Sequence, residues 1–164
     1  MIRVVDYDFG PAARNRLDDT ATPGIAGAVA ALETFYYALN GADLPVLSAL
    51  WFRHDLTQLH SPLGGTIRST AAIVDSYRRS FASGMQLQLT FTDAATYDLA
   101  TAVVFAGREH GTYRRNDGRR VTLDIRTSRL FGWDESRARW AQLLHHGSID
   151  DPFELADYQA TAGA

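Results

Sequence analysis

The sequence predicts a protein of the α+β class, with helices in its first half and an antiparallel sheet in its second half. Apolar residues recur at helical spacing in two segments before residue 84. From residue 85 to residue 149, apolar and polar residues alternate in long runs, as they do in half-buried strands. Asn116-Asp117-Gly118, a strong hairpin signal, separates two of these runs. The length of 164 residues is that of one domain.

The helical half is preceded by a polar, turn-rich segment over residues 1–23, which we expect to form an extension that drapes over a single domain at residues 24–160. Asn40-Gly41 supplies the stop of the first helix, and Asp43 is a suitable N-cap for the second. Ser69 or Thr70 caps the third helix. The expected elements are a helix at 25–40, a helix at 44–50, a strand at 56–60, the third helix, which stops at Ser83-Gly84, and a short tail helix at 152–159.

The sheet half divides into strands at residues 85–93, 100–114, 119–131 and 139–148. If each turn lies at the centre of its hairpin, with the second turn at residues 134–136, strand partners have numbers that add up to about 234 and about 270. Glu109 then faces Ile125, and Ile125 faces His145. On the opposite face, His110, Asp124 and His146 form a second row.

Composition excludes several classes of function. The net charge of −3 and the pI of about 5.9 predict no nucleic-acid partner. All 16 basic residues are arginine, which rules out a Schiff-base lysine, and the absence of cysteine rules out a thiol nucleophile and disulfides. No run approaches the ~20 apolar residues of a membrane span, and the first residues lack the apolar core of a signal peptide. We therefore expect a cytoplasmic protein without a membrane partner.

The two faces of the predicted sheet differ in polarity. Odd-numbered residues after position 100 are mostly apolar, so we expect them to face the helices, and even-numbered residues are more polar. Glu109, Arg129 and His145 are ionisable exceptions on the apolar face, and they are the candidate catalytic residues. Glu109 and His145 would lie ~10 Å apart on either side of Ile125. Burial raises the pKa of a carboxyl group and lowers that of an imidazole, which suits acid–base catalysis.

Other residues are predicted to line the pocket or to support it. Arg129 is suited to holding an anionic group or an oxyanion. His60 precedes a glycine-rich loop and is expected to overhang the pocket mouth. The remaining predicted pocket residues are Tyr36, Tyr37, Trp51, Phe105, Tyr113 and Ile125. The alternatives are that Glu109 and Arg129 form a structural ion pair, that His145 and the tyrosines belong to the core, and that His60 is a turn residue.

The row of His110, Asp124 and His146 has the residue types of a divalent metal site. Directly opposed strand residues project in parallel rather than converging, however, and a fourth ligand is not evident. We therefore favour a polar row inside a dimer interface, with Arg108 and Arg126 nearby, and expect neither a metal nor an organic cofactor. A one-residue bulge in any strand would exchange the two faces.

Several motifs resemble the nuclear transport factor 2-like superfamily, in particular its SnoaL-like branch and the calcium/calmodulin-dependent kinase association domain. They are a strand with Trp140 that ends in His146-x-Ser148, the preceding run Arg126–Phe131, and the link Gly41–Leu44. The likeness covers about residues 25–159. It implies a cone-shaped roll, in which a strongly curved antiparallel sheet wraps around N-terminal helices and encloses an internal pocket. It also implies a homodimer through the outer sheet face, and it aligns Arg129 with an arginine of the association-domain pocket.

Two functions are compatible with these residues. The first is a small-molecule enzyme that uses a hydrophobic pocket for cofactor-independent acid–base chemistry of the lyase, isomerase or hydrolase type. The second is a non-catalytic ligand-binding or dimerisation module of the same fold. Isomerases of the superfamily use an Asp base with Tyr and Asp donors, and this sequence has no position-by-position match to that trio.

Overall fold

A computed structural model shows an α+β protein in which a curved seven-stranded sheet packs against helices. The structure describes residues 1–62, 64–84, 86–114, 118–149 and 151–162. Its helices are α1 (Ile25–Asn40), α2 (Leu44–Ala49), α3 (Thr70–Ala82) and α4 (Pro152–Ala162). Its strands are β1 (Ile2–Val5), β2 (Gln58–His60), β3 (Ile67–Arg68), β4 (Leu87–Asp98), β5 (Ala102–Arg114), β6 (Arg120–Asp134) and β7 (Arg139–Ile149). The strand order is β1-β4-β5-β6-β7-β2-β3.

The helix ends agree with the cap residues of the sequence. Asp43 accepts a hydrogen bond from the Val46 amide at the start of α2, and Ser69 accepts one from the Ala72 amide at the start of α3. Asn40, the last residue of α1, donates to the Leu89 carbonyl and accepts from the Leu89 amide, both at 2.8 Å. This pair of bonds joins the end of α1 to the edge of β4.

The register of the first long hairpin is confirmed. Glu109 faces Ile125 and His110 faces Asp124, so partner numbers add up to 234 along the β5–β6 ladder. Asn116 and Asp117 of the predicted turn lie outside the described residues, whereas Gly118 has the positive φ of 86° that such turns require. Burial alternates as expected on β5 and β6, with the odd-numbered side chains turned toward the helices.

The predicted register of the second long hairpin is wrong. Arg129, not Ile125, faces His145, and Ile125 faces Ile149. The turn lies one to two residues later than residues 134–136 suggest, because β6 continues to Asp134 and pairs there with Arg139. His146 accordingly faces Ser128, so the predicted row of His110, Asp124 and His146 does not form.

A β-bulge in β7 accounts for the rest of the shift. Leu144 pairs with Leu130, but the next pair is Gln142 with Phe131, so Leu143 is the extra residue. Before this point the even-numbered residues of β7 turn inward, and Trp140 and Gln142 are buried at 1% and 0% exposure. The assignment of these two residues to the outer face is therefore wrong, because the bulge exchanges the faces within the strand.

The first 23 residues contribute to the sheet and to the core. β1 pairs antiparallel with β4 over residues 94–97, and Tyr7 packs on Phe91 and Phe105 within the core. At the other edge, β2 runs parallel to β7, so the sheet is mixed rather than wholly antiparallel. Among the described residues, no helix combines the length and hydrophobicity that a membrane crossing requires.

Candidate functional site

A cavity of about 510 Å³ lies between the helices and the concave side of the sheet. Its walls combine apolar side chains with several hydroxyl and amide side chains, and they come from α1, α3, α4 and the sheet. Glu109, Ile125 and His145, three of the predicted site residues, line it. Further lining side chains are Leu39, Leu59, Tyr77, Phe81, Leu87, Leu89 and Tyr158. The volume and lining are those of a small-molecule pocket.

Glu109 is part of a buried network centred on Arg129. Arg129 Nη2 donates to Glu109 Oε1 at 2.5 Å, Arg129 Nε donates to the Tyr36 hydroxyl at 3.0 Å, and Arg129 Nη1 donates to Gln142 Oε1 at 3.1 Å. The Tyr36 hydroxyl also donates to Glu109 Oε1 at 2.7 Å. The Arg129 guanidinium lies 3.8 Å from the centre of the Phe35 ring. Each guanidinium nitrogen thus has a partner within the protein.

The network holds opposite charges together in the core. The Arg129 side chain is 0% exposed and the Glu109 side chain 2% exposed. Burial acts to lower the pKa of Arg129, but its coulombic interactions with Tyr36 and Glu109 outweigh that effect and raise the pKa. Burial also raises the pKa of the Tyr36 phenol, which keeps its proton and acts as a hydrogen-bond donor. Glu109 and Arg129 thus form the buried ion pair that the sequence offered as an alternative to a catalytic role.

His145 carries a polar atom that the described residues leave without a partner. Its Nδ1 lies 3.4 Å from the Tyr77 hydroxyl, and its buried Nε2 has no hydrogen-bond partner in the described part of the chain. Burial, followed by the positive charge of Arg129, lowers the pKa of the imidazole well below its ordinary value. Burial raises the pKa of Tyr77, so the phenol keeps its proton. When the phenol donates to Nδ1, the hydrogen of the neutral ring is on Nε2, which is then a donor available to a ligand.

The depressed pKa of His145 predicts a loss of stability in mild acid. The unfolded chain binds a proton near pH 6.5 and the folded chain does so only at lower pH, so the free energy of unfolding falls as pH drops below about 6.5. The contribution of this one residue reaches about 1.4 kcal/mol per pH unit. Urea denaturation between pH 7.5 and 5 checks this for the wild type against His145→Asn. Equal pH slopes for the two proteins would contradict it.

The other predicted pocket residues are not among those that line this cavity. Tyr36 reaches the site through its hydroxyl, and Trp51 and Phe105 are fully buried core residues. Tyr113 is buried, donates a hydrogen bond to Asp157 and packs on the Tyr158 ring, so it holds α4 against the sheet. Tyr37 is half-buried against the core, and His60 is half-buried at the edge of the sheet.

Three residues that sequence reasoning missed complete the site. Gln142 binds Arg129, Tyr77 contacts His145, and Tyr158 of the tail helix lines the cavity. Tyr77 was identifiable as part of the apolar stripe of α3. Gln142 could not be assigned to the inner face because the sequence does not show the bulge. Tyr158 could not be assigned to the cavity because the sequence does not show that α4 folds across it.

The polar residues of the outer face are separated in the structure. His110 Nδ1 bonds to Asp124 Oδ1, and both side chains are about half exposed. His146 instead lies beside His60 on β2, with 5.7 Å between the ring centres. Within the described ranges, no group of three or more His, Asp or Glu side chains is arranged to hold a metal ion.

Comparisons with solved structures identify the same fold. A candidate dehydratase of the nuclear transport factor 2-like family from Streptomyces avermitilis has a TM-score of 0.67 and 17% identity, over 74% of this chain and 93% of that chain. A candidate calcium/calmodulin-dependent protein kinase type II association domain from Thiobacillus denitrificans has a TM-score of 0.60 and 22% identity, over 75% and 94%. A ketosteroid isomerase-like protein from Erwinia carotovora atroseptica has a TM-score of 0.63 and 16% identity, over 76% and 94%.

These identities are low and establish the fold alone. Among curated proteins, no match to this chain is found. The family model of the SnoaL-like domain matches residues 29–152, which span α1 to the start of α4 and include the whole buried network. The chain therefore belongs to the SnoaL-like domain family.

Proposed function

We propose that this protein is a small-molecule enzyme that moves a proton on an uncharged, largely apolar substrate without an organic cofactor. The observation that supports the proposal most strongly is that Glu109 and His145 line the same cavity. Glu109 offers Oε2 as an acceptor, since the bonds from Tyr36 and Arg129 go to Oε1. The buried Nε2 of His145 has no partner in the described part of the chain, and we assign the ring hydrogen to it. An unpaired buried polar group is costly, so a ligand that binds Nε2 gains specificity.

Each residue has a distinct role in this proposal. Glu109 is the general base, and it takes a proton from a carbon next to a carbonyl group of the substrate. Tyr36 and Arg129 hold the carboxylate through Oε1 and leave Oε2 for the substrate. His145 donates from Nε2 to a second polar atom of the same molecule. Arg129 does not take a substrate anion, because its three nitrogens already bind protein groups.

The substrate would contact groups on both sides of Arg129. The Arg129 guanidinium contacts the Glu109 carboxylate, and His145 is the strand partner of Arg129 on β7. A substrate that contacts both Glu109 and His145 therefore needs two polar positions, one for each group.

Deuterium exchange into a simple ketone tests this function, whatever the natural substrate is. We expect the protein to accelerate exchange of the carbon-bound α-hydrogens of 2-tetralone, an apolar bicyclic ketone, in deuterated buffer followed by proton NMR. Glu109→Gln is expected to lower the protein-catalysed rate by about 100-fold, because it removes the base. Glu154→Gln, a change at a half-buried residue of α4 that is not among those lining the cavity, serves as the matched control.

Two results would count against the enzymatic proposal. One is wild-type protein that does not accelerate exchange above the buffer rate. The other is a Glu109→Gln protein, shown to be folded by circular dichroism, that retains the wild-type rate. A raised melting temperature with 2-tetralone but no exchange would instead favour the second candidate, a non-catalytic binding module. The buried Glu109–Arg129 ion pair favours that candidate, because a carboxylate that is already paired with a guanidinium is less available to take a proton from a substrate.

We also propose that the protein resides in the cytoplasm, because a chain without cysteine needs no disulfide and is compatible with reducing conditions. We propose in addition that it forms a homodimer through the outer face of its sheet. Four half-buried apolar side chains follow one another directly across four strands of that face. They are Tyr97, Val104, Leu130 and Leu144. Ile2 on β1 pairs with Tyr97 on β4 and extends this row, and it is 71% exposed. A continuous apolar row on a polar face is typical of a protein interface.

Leu130→Arg is expected to convert this dimer into a monomer, because it places a charge in the middle of the apolar row. Sedimentation velocity at micromolar concentration measures the mass of the wild type and of the variant. Leu56→Arg is the matched control, since Leu56 is 68% exposed on a loop outside the sheet. A wild-type monomer, or a Leu130→Arg dimer, would contradict the proposed interface.

A further inference from the structure

A second cavity, of about 400 Å³, lies where β2 runs parallel to β7, below α4. It adjoins the first cavity, because Ser61 and Pro62 line both. Polar and apolar groups contribute about equally to its wall. The polar lining residues are His60, Ser61, Thr66, His146, Ser148 and Gln159. The proposed enzyme does not use this space.

Two imidazoles stand side by side on this wall. His60 of β2 and His146 of β7 are direct partners in the parallel ladder, with ring centres 5.7 Å apart and planes at 69°. His60 Nε2 lies 2.9 Å from Gln58 Oε1, an acceptor, so Nε2 carries hydrogen and Nδ1 remains for a ligand. Both ring nitrogens of a charged imidazole are donors, so an anion between the two rings can accept from each of them.

The surroundings of the two imidazoles also favour an anion. None of the described residues that line this cavity is an aspartate or a glutamate. Gly64 and Gly65 have positive φ values of 96° and 74°, and the lack of side chains there lets a ligand approach the loop backbone.

We propose that this second cavity binds the phosphate group of a small phosphate monoester. A phosphate presents three terminal oxygens and close to two charges, which matches a wall that offers two imidazoles and several hydroxyl groups. A carboxylate has two oxygens and one charge and leaves part of this wall unsatisfied. The site uses neither Glu109 nor His145, so it stands or falls independently of the proposed proton transfer.

Calorimetric titration of the full chain with phenyl phosphate tests the site. The titration is carried out at about pH 6. We expect wild-type protein to bind phenyl phosphate at least about tenfold more tightly than benzoate, which carries the same ring on a carboxylate. His60→Gln and His146→Gln, which keep a polar side chain but cannot become cationic, are each expected to weaken phenyl phosphate binding by about tenfold.

His110→Gln is the matched control, because it removes an exposed imidazole of the same sheet that is paired with Asp124 instead. It is expected to bind phenyl phosphate as the wild type does, and melting curves establish that each variant is folded. The proposal is overturned if wild-type protein shows no binding up to about 10 mM ligand. It is also overturned if benzoate binds as tightly as phenyl phosphate, or if both His60→Gln and His146→Gln retain wild-type affinity.

Discussion

Arg129→Met is expected to destabilise the protein by about 3–5 kcal/mol, because it leaves the Glu109 carboxylate buried without its counter-charge. The substitution also removes the donor to Tyr36 and the partner of Gln142. Methionine occupies much of the arginine volume, so the loss reports charge and hydrogen bonding more than packing. Urea denaturation at pH 7.5 measures the change in the free energy of unfolding.

A second variant separates the burial of charge from the loss of contacts. The double substitution Glu109→Gln with Arg129→Met removes both charges, and it is expected to be more stable than Arg129→Met alone. Arg78→Met is the control, since Arg78 forms an exposed ion pair with Asp75 of the kind that contributes little to stability. A loss below about 1 kcal/mol for Arg129→Met would show that the buried network is not a determinant of stability.

Gly27→Ala is expected to cost about 2–3 kcal/mol, although alanine is the better helix former by about 1 kcal/mol. A Cβ atom at Gly27 would overlap the carbonyl oxygen of Thr22 and lie 2.6 Å from Cδ1 of Trp140. The Thr22 oxygen belongs to the backbone, so the segment before α1 would have to move away from the helix. Thermal and urea denaturation give the size of the loss.

Gly147→Ala provides the comparison for this helix glycine. A Cβ atom at Gly147 would lie 3.2 Å from Cγ2 of Ile125, a side-chain atom that is able to yield. We expect this change to cost less than about 1 kcal/mol. If Gly27→Ala proves as mild as Gly147→Ala, the close approach of α1 to Trp140 is not rigid.

The parts of the fold that sequence reasoning predicted rest on strong local signals. α1 has the predicted bounds because its apolar spacing and its Asn40-Gly41 stop agree. The β5–β6 register is as predicted because apolar and polar residues alternate in both strands and one clear turn signal lies between them. β1 went unrecognised, since its four residues form an edge strand whose pairing with β4 depends on the finished sheet.

The candidate site was predicted only where the strand register had been predicted correctly. Glu109 and Arg129 lie on β5 and β6, where the register was right, and the structure joins them at 2.5 Å. Gln142 was missed because two leucines, Leu143 and Leu144, follow each other at the bulge. With one apolar residue at an odd position and one at an even position, the sequence does not show where the strand changes faces. The pocket itself depends on how far α3 and α4 stand from the sheet, and periodicity carries no information about that distance.

The extra residue in β7 has a practical consequence for comparing relatives of this chain. Trp140 and Gln142 point inward on even positions, whereas His145 and Gly147 point inward on odd positions. A homologue that lacks the insertion would place a different residue beside the guanidinium, even when its tryptophan aligns without a gap. Sequence alignments of the family are therefore better anchored separately on the two halves of this strand, with any gap assigned to position 143.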